Sequence, residues 1–194
     1  MLTVLILATA FLPPTSAGAD CQAIDLQALL AESAIAPPRT VEFREERYNP
    51  MFKEPLVLEG TLEYLEPGVL RKSVQSPFQE QYLVEPDQVT ISRYGQQEVL
   101  KARQGRMISA FFLGIEALLA GDPDRLKESF HYCVEGTADN WTLSLEPRVK
   151  RLAKHLAGMR VEGANGAIES IRIDLDDEEW HLIRILPPPG VEGP

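Results

Sequence analysis

Only a few residues of this chain have types and a spacing that could support chemistry. His131 and Cys133 lie two positions apart on a predicted strand, where they would share one face like a nucleophile beside its base. A structural Cys is the commoner explanation of such a pair. His155 and His181 are distant from His131 in sequence, so the histidines form no short metal-ligand spacing. With no glycine-rich phosphate loop or Gly-x-Ser-x-Gly motif either, the sequence predicts no enzyme, no cofactor and no metal site.

The densest group of charges lies near the carboxyl end of the chain. Asp174 and the run Asp176–Glu179 place five acidic residues within six positions. This segment lacks the Gly and the alternating ligands of a calcium loop, so a solvated turn is the better interpretation. The net charge of −10 argues against nucleic-acid binding and against tight docking on anionic lipid headgroups. We expect a freely diffusing monomer.

The amino-terminal residues predict export. Met1 to Leu12 are nearly all apolar, and Ala17-Gly18-Ala19 has the small residues that signal peptidase needs. The apolar run is too short to span a bilayer. We therefore expect a cleaved signal peptide over residues 1–19, a periplasmic location, one domain over residues 20–186 and a disordered proline-rich tail over residues 187–194.

The chain has two cysteines, Cys21 and Cys133. In an oxidising compartment the two thiols can form a disulfide. Two free or buried thiols are the alternative, and the sequence does not decide between them. We state the Cys21–Cys133 bridge as a prediction.

The elements that must position any site are mostly strands. Alternating apolar and polar residues, with short turn segments between them, predict antiparallel pairing. A different pattern follows over Arg106 to Ala120, which is apolar nearly all round and predicts a covered helix. Asp122-Pro123 then predicts the start of a second short helix. The predicted strands are Thr40–Tyr48, Leu56–Leu65, Val69–Gln75, Glu80–Glu85, Gln88–Arg93, Gln97–Ala102, Phe130–Glu135, Trp141–Glu146, Ile168–Leu175 and Trp180–Leu186.

The order of these elements, together with several short motifs, resembles the LolA-like lipoprotein carriers. The resemblance covers most of the chain after the leader, and it depends on order and spacing rather than on one specific motif. The residues that carry it are Phe43 in Val-x-Phe-x-Glu, Gly60-x-Leu62 before Pro67 and Leu70, Pro77, Trp141-x-Leu143-x-Leu145-x-Pro147, and Ile168-x-x-Ile171-x-Ile173 before the acidic turn.

This resemblance implies an α+β fold, a half-open antiparallel β-barrel whose helices form a lid over an apolar cavity. From the residues alone, the apolar helix is as consistent with a solid core as with a lid, and the resemblance favours the lid. In the family an Arg before the Pro that ends the second strand latches the lid, whereas this chain has Glu66, which only accepts hydrogen bonds. Lid control must therefore differ. The expected cavity residues are Phe43, Leu62, Tyr64, Leu70, Phe111, Phe112, Ile115, Leu118 and Leu119.

The implied function is that of a periplasmic carrier. It would shield the acyl chains of a lipoprotein or related lipid between an inner-membrane donor complex and an outer-membrane receptor. Two alternatives stay open: a carrier of a non-lipoprotein acyl or polyene cargo, and a non-enzymatic interaction module of the envelope.

Overall fold

A single curved antiparallel sheet dominates the structure. The computed structural model describes residues 24–34, 36–101, 114–175 and 178–187 of the chain. The strands are β1 Arg39–Tyr48, β2 Leu56–Glu66, β3 Val69–Ser76, β4 Glu80–Val84, β5 Gln88–Arg93, β6 Gln96–Lys101, β7 Phe130–Thr137, β8 Asn140–Pro147, β9 Gly158–Ala164, β10 Ala167–Asp174 and β11 Trp180–Ile185. The helices are α1 Leu26–Ser33, α2 over residues 114–120, and α3 Pro123–Ser129.

The sheet is continuous but not closed. Its 11 strands are ordered β6-β5-β4-β3-β2-β1-β11-β10-β9-β8-β7, so β6 and β7 are its two edges in the described part of the chain. The connection from β6 to β7 must therefore pass from one edge of the sheet to the other. This connection contains α2 and α3. The expected half-open antiparallel barrel of the α+β class is confirmed.

One face of the sheet, which we call the inner face, carries the core. Every second residue is buried along much of β3, β8 and β9, as the two-residue repeat of a half-buried strand requires. The buried apolar side chains from the strands and from the helices form one cluster. Burying a Leu, Ile or Phe side chain contributes roughly 1.5–3 kcal/mol, so this face supplies most of the driving force for folding.

Helix α2 lies on the inner face. Its residues 114–119 are all buried. A methyl group added at Gly114 would lie 3.4 Å from the Met159 sulfur of β9 and 3.5 Å from the Phe130 ring of β7. The absence of a side chain at Gly114 therefore lets the helix backbone approach the sheet closely.

The short helices begin and end at residues that the sequence marks. The Asp25 carboxylate caps α1 by accepting from the Gln27 N–H at 3.0 Å. Asp122 caps α3 by accepting from the backbone N–H groups of Asp124 and Arg125. Gly121 ends α2 with a φ of +66°, a conformation that favours glycine.

Several sequence predictions lie outside the described residues. These are the signal peptide over residues 1–19, all but Pro187 of the tail over residues 187–194, and the part of the predicted apolar helix before residue 114. Among the described residues, no helix is both long enough and apolar enough to cross a membrane. One strand was not predicted: β9, Gly158–Ala164, which pairs with β8 and β10.

Candidate functional site

The predicted strand residues of the apolar site lie together on the inner face. Phe43 is on β1, Leu62 and Tyr64 are on β2, and Leu70 is on β3. All four side chains are buried, and Tyr64 is the direct cross-strand partner of Leu70. Alternation along each strand produces this grouping because residues two apart face the same side.

The predicted helix residues join the same cluster. Ile115, Leu118 and Leu119 are buried and belong to the apolar cluster that contains the strand residues. Phe111 and Phe112 lie outside the described residues. The structure thus brings seven of the nine predicted site residues into one cluster, whereas the lipid-sized gap between strands and helix stays a prediction.

A buried carboxylate fastens α2 to the sheet. Glu116 accepts a hydrogen bond from the backbone N–H of Gly68, in the β2–β3 turn, at 3.1 Å. It also forms an ion pair with Arg125 of α3. Burial raises the pKa of the neighbouring Tyr64, and the charge of Glu116 raises it further. Glu66, two positions before Gly68, is exposed. The donor therefore lies on the turn and the acceptor on the helix, as for an Arg beside the turn, but here the donor is a backbone N–H and the acceptor is a side-chain carboxylate.

A second cluster, which sequence analysis missed, is charged. On the inner face, Glu45 of β1 is fully buried and accepts from three side chains. Lys72 Nζ lies 2.5 Å from its Oε2, Arg47 Nε lies 3.1 Å from its Oε1, and His181 Nδ1 lies 3.2 Å from its Oε1. Burial alone would raise the pKa of Glu45, but Lys72, His181 and Arg47 together hold it well below its usual range.

The charged cluster continues onto β4 and β5. Glu80 is buried, accepts from the Tyr82 hydroxyl at 2.6 Å and forms an ion pair with Arg93. Arg47 Nη1 lies 3.9 Å from the other Glu80 oxygen, so Arg47 connects the two carboxylates. We call this group the charged rim; it comprises Glu45, Arg47, Lys72, Glu80, Arg93 and His181.

The charged rim and the Glu116 contact lie at opposite ends of the sheet. Arg47 is near the end of β1, Glu80 begins β4, Arg93 ends β5 and His181 is near the start of β11. In an antiparallel sheet these positions fall at the same end. The β2–β3 turn, where Gly68 lies, is at the other end. The inner face therefore combines an apolar region, covered by α2, with a polar region at one end.

The remaining predicted residues do not form a catalytic arrangement. His131 on β7 is exposed. Cys133 is half-buried and disulfide-bonded, so its sulfur is not available as a nucleophile. Cys21 lies outside the described residues, and its pairing with Cys133 stays a prediction. In the acidic segment, Asp174 pairs with Arg172 and Glu179 accepts from Asn49.

Two of three comparisons with known proteins found proteins similar to this chain. Three solved structures resemble the chain at low sequence identity, and one is a LolA superfamily protein, NE2245, from Nitrosomonas europaea, with 8% identity and a TM-score of 0.44 over 85% of this chain and 93% of that chain. LprF from Mycobacterium bovis has 15% identity and a TM-score of 0.38 over 83% of this chain and 91% of that chain. The MucA/MucB complex of Pseudomonas aeruginosa has 12% identity and a TM-score of 0.40 over 84% of this chain and 56% of that chain. A comparison with curated proteins found no significant match. A family model described as outer membrane lipoprotein carrier protein LolA-like matches residues 17–176. Because this match covers most of its length, the chain belongs to the LolA-like family of outer membrane lipoprotein carrier proteins.

Proposed function

We propose that this protein is a periplasmic carrier. It shields the acyl chains of a lipoprotein, or of a related lipid, in transit from an inner-membrane donor complex to an outer-membrane receptor. The observation that carries the proposal is the buried apolar helix α2, which lies across the inner face of an unclosed sheet.

The physical requirement for such a carrier is the burial of long apolar chains. Each CH₂ group that leaves water contributes about 0.8 kcal/mol, so an acyl chain does not cross an aqueous compartment unprotected. The inner face offers aliphatic and aromatic side chains for this purpose, among them Phe43, Leu70 and Leu118. Contacts of this kind are individually weak and non-directional, which allows binding and release without covalent chemistry.

Replacing a buried apolar residue of α2 by a charged one tests whether this helix covers a ligand. In Ile115→Glu a carboxylate would enter an apolar region, where an unpaired charge is strongly disfavoured. We expect a sharp loss of binding of a fluorescent acyl probe while the circular dichroism of the sheet persists. Leu119→Gln, at the end of α2, is a milder variant for the case in which Ile115→Glu does not fold. Val99→Glu, on the exposed edge strand β6, is the matched control and should bind the probe normally.

The outcomes separate a cavity from a solid core. Unfolding by both α2 variants would indicate that α2 only completes the core. Unchanged probe binding in a folded variant would show that α2 does not cover the ligand. Native mass spectrometry of protein isolated from its own periplasm should show bound lipid, and its chemistry would distinguish a lipoprotein from another acyl or polyene cargo.

One observation favours the alternative of an interaction module. Met51 and Phe52, in the β1–β2 turn, are 83% and 62% exposed, which is unusual for large apolar side chains. A module without ligand would be isolated free of lipid. Such a result, together with no acyl-probe binding, would favour the module over the carrier.

A further inference from the structure

The charged rim places its carboxylates in the wall and its basic groups at the opening. The side chains of Glu45 and Glu80 are 0% and 4% exposed, whereas those of Arg47, His181 and Arg93 are 22%, 29% and 52% exposed. Solvent at this end of the inner face therefore meets guanidinium and imidazole groups first. The guanidinium groups only donate hydrogen bonds, so the opening suits an acceptor.

The charge of the rim has the opposite sign to that of the chain. Three basic side chains, Arg47, Lys72 and Arg93, contact two carboxylates, Glu45 and Glu80, so the rim has one more basic group than acidic groups. The whole chain has a net charge of −10. A locally basic opening in an acidic protein favours an anion at that place.

The Glu80 carboxylate holds the guanidinium groups of Arg47 and Arg93 close together. Arg47 and Arg93 approach different oxygens of the same Glu80 carboxylate, so their guanidinium groups are neighbours. The Glu45 carboxylate also accepts hydrogen bonds from the Nε and Nη2 atoms of Arg47 and so fixes the position of this side chain. Positioned in this way, the guanidinium groups need little reorganisation to bind a phosphate, whose geometry they match.

We propose that the charged rim binds the phosphate of an amphipathic lipid, with Arg47 and Arg93 as donors. The acyl chains then lie in the apolar region of the inner face. This assignment rests on the proposed carrier function and narrows its cargo to lipids that bear a phosphate beside their chains.

The test compares two amphiphiles that differ by one phosphate. Oleoyl lysophosphatidic acid and monooleoylglycerol share an acyl chain, and their affinities are measured by displacement of a fluorescent acyl probe from the purified protein. We expect lysophosphatidic acid to bind at least about tenfold more tightly, because hydrogen bonds to charged groups are the stronger ones. Arg93→Gln, at a half-exposed position, should remove most of this preference.

A matched control removes an arginine from the outer face. Arg184 is similarly exposed and forms an ion pair with Glu46, so Arg184→Gln makes the same change of charge away from the rim. It should keep the full preference. An equal loss in Arg93→Gln and Arg184→Gln would show that only overall charge matters and would overturn the site.

The remaining outcomes separate the site from the carrier function. Equal affinity for both amphiphiles would overturn the phosphate site and leave the carrier function in place. Binding of neither would overturn the carrier function and the site with it. Inorganic phosphate is titrated alone by calorimetry; if it binds as tightly as lysophosphatidic acid, the rim serves free phosphate and the lipid-headgroup assignment is wrong.

Discussion

The contact between α2 and α3 shows how the buried helix is held, and its energetics can be worked out from the structure. Glu116 has two partners, the Gly68 N–H at 3.1 Å and the Arg125 guanidinium. Three variants separate them: Glu116→Gln, Arg125→Gln and the double substitution. A Gln at position 116 keeps an oxygen for Gly68 but has no charge to pair with Arg125.

The largest loss of stability should come from Arg125→Gln. This change leaves a buried carboxylate without its counter-charge, which in a fully buried pair costs about 3–5 kcal/mol. Because the Arg125 side chain is 39% exposed, water screens the charge. We therefore expect a smaller cost of about 2 kcal/mol. Glu116→Gln should cost about 1 kcal/mol, since a charge-assisted hydrogen bond becomes a neutral one.

The double variant decides whether this reasoning holds. Without a buried charge to leave unpaired, it should cost about 1 kcal/mol, less than Arg125→Gln alone. Urea unfolding followed by circular dichroism gives the free energies. Lys127→Gln, on the same helix, is the control: Lys127 pairs with the exposed Asp124 and lies 6.0 Å from the centre of the Tyr132 ring, and the variant should stay within about 0.5 kcal/mol of the parent protein. Additive losses in the double variant, or a neutral Arg125→Gln, would refute the proposed role of this pair.

Two further predictions concern other parts of the fold. Gly121→Ala should lower the free energy of unfolding by about 2 kcal/mol, because its φ is +66° and the new Cβ would lie 2.8 Å from that of Ala34. Gly95→Ala, with a φ of +74° and open space around it, isolates the backbone effect in the same urea experiment, and equal losses would exclude a role for the α1 contact. The pKa of Glu45 is lower in the folded chain than in the unfolded chain, so the unfolded chain takes up a proton first as the pH falls. The charged Glu45 therefore stabilises the fold above its unfolded pKa, and this contribution declines below about pH 5. Glu45→Gln should therefore show a flatter decline of stability with acid, and parallel profiles for the two proteins would contradict this.

The fold was largely predictable because alternation is a local property. Strands such as β2, β7 and β8 contain three or more apolar residues at every second position, and turn residues mark their ends. Strand β9 has only Met159 and Val161 as large apolar residues, and glycines lie at positions 158 and 163. Its position depends on pairing with β8, where Met159 faces Leu145 and Val161 faces Leu143. Such non-local pairing leaves little signal within seven residues.

The charged rim was missed for a different reason. Glu45 follows Phe43 by two positions, and Lys72 follows Leu70 by two, so alternation does assign both charges to the inner face. Charged residues are rarely buried unless they are paired, and a single sequence does not show which distant residue is the partner. Glu45 and Lys72 are 27 positions apart, on strands separated by β2. The available signal was one charge at an inward position on each of two predicted strands.

The division of the inner face bears on how a carrier could release its cargo. In the proposed carrier, apolar contacts beneath α2 would bind acyl chains, with a strength that does not depend on the headgroup. The charged rim lies at the other end and would bind only a polar group, through directional hydrogen bonds. In the proposed carrier, loosening of the Glu116 contact would therefore weaken the grip on every acyl chain alike, whereas the rim would discriminate among cargoes. Control of release and choice of cargo would then reside in different residues, which explains how the chain can lack the expected arginine at Glu66 and still belong to a family of carriers.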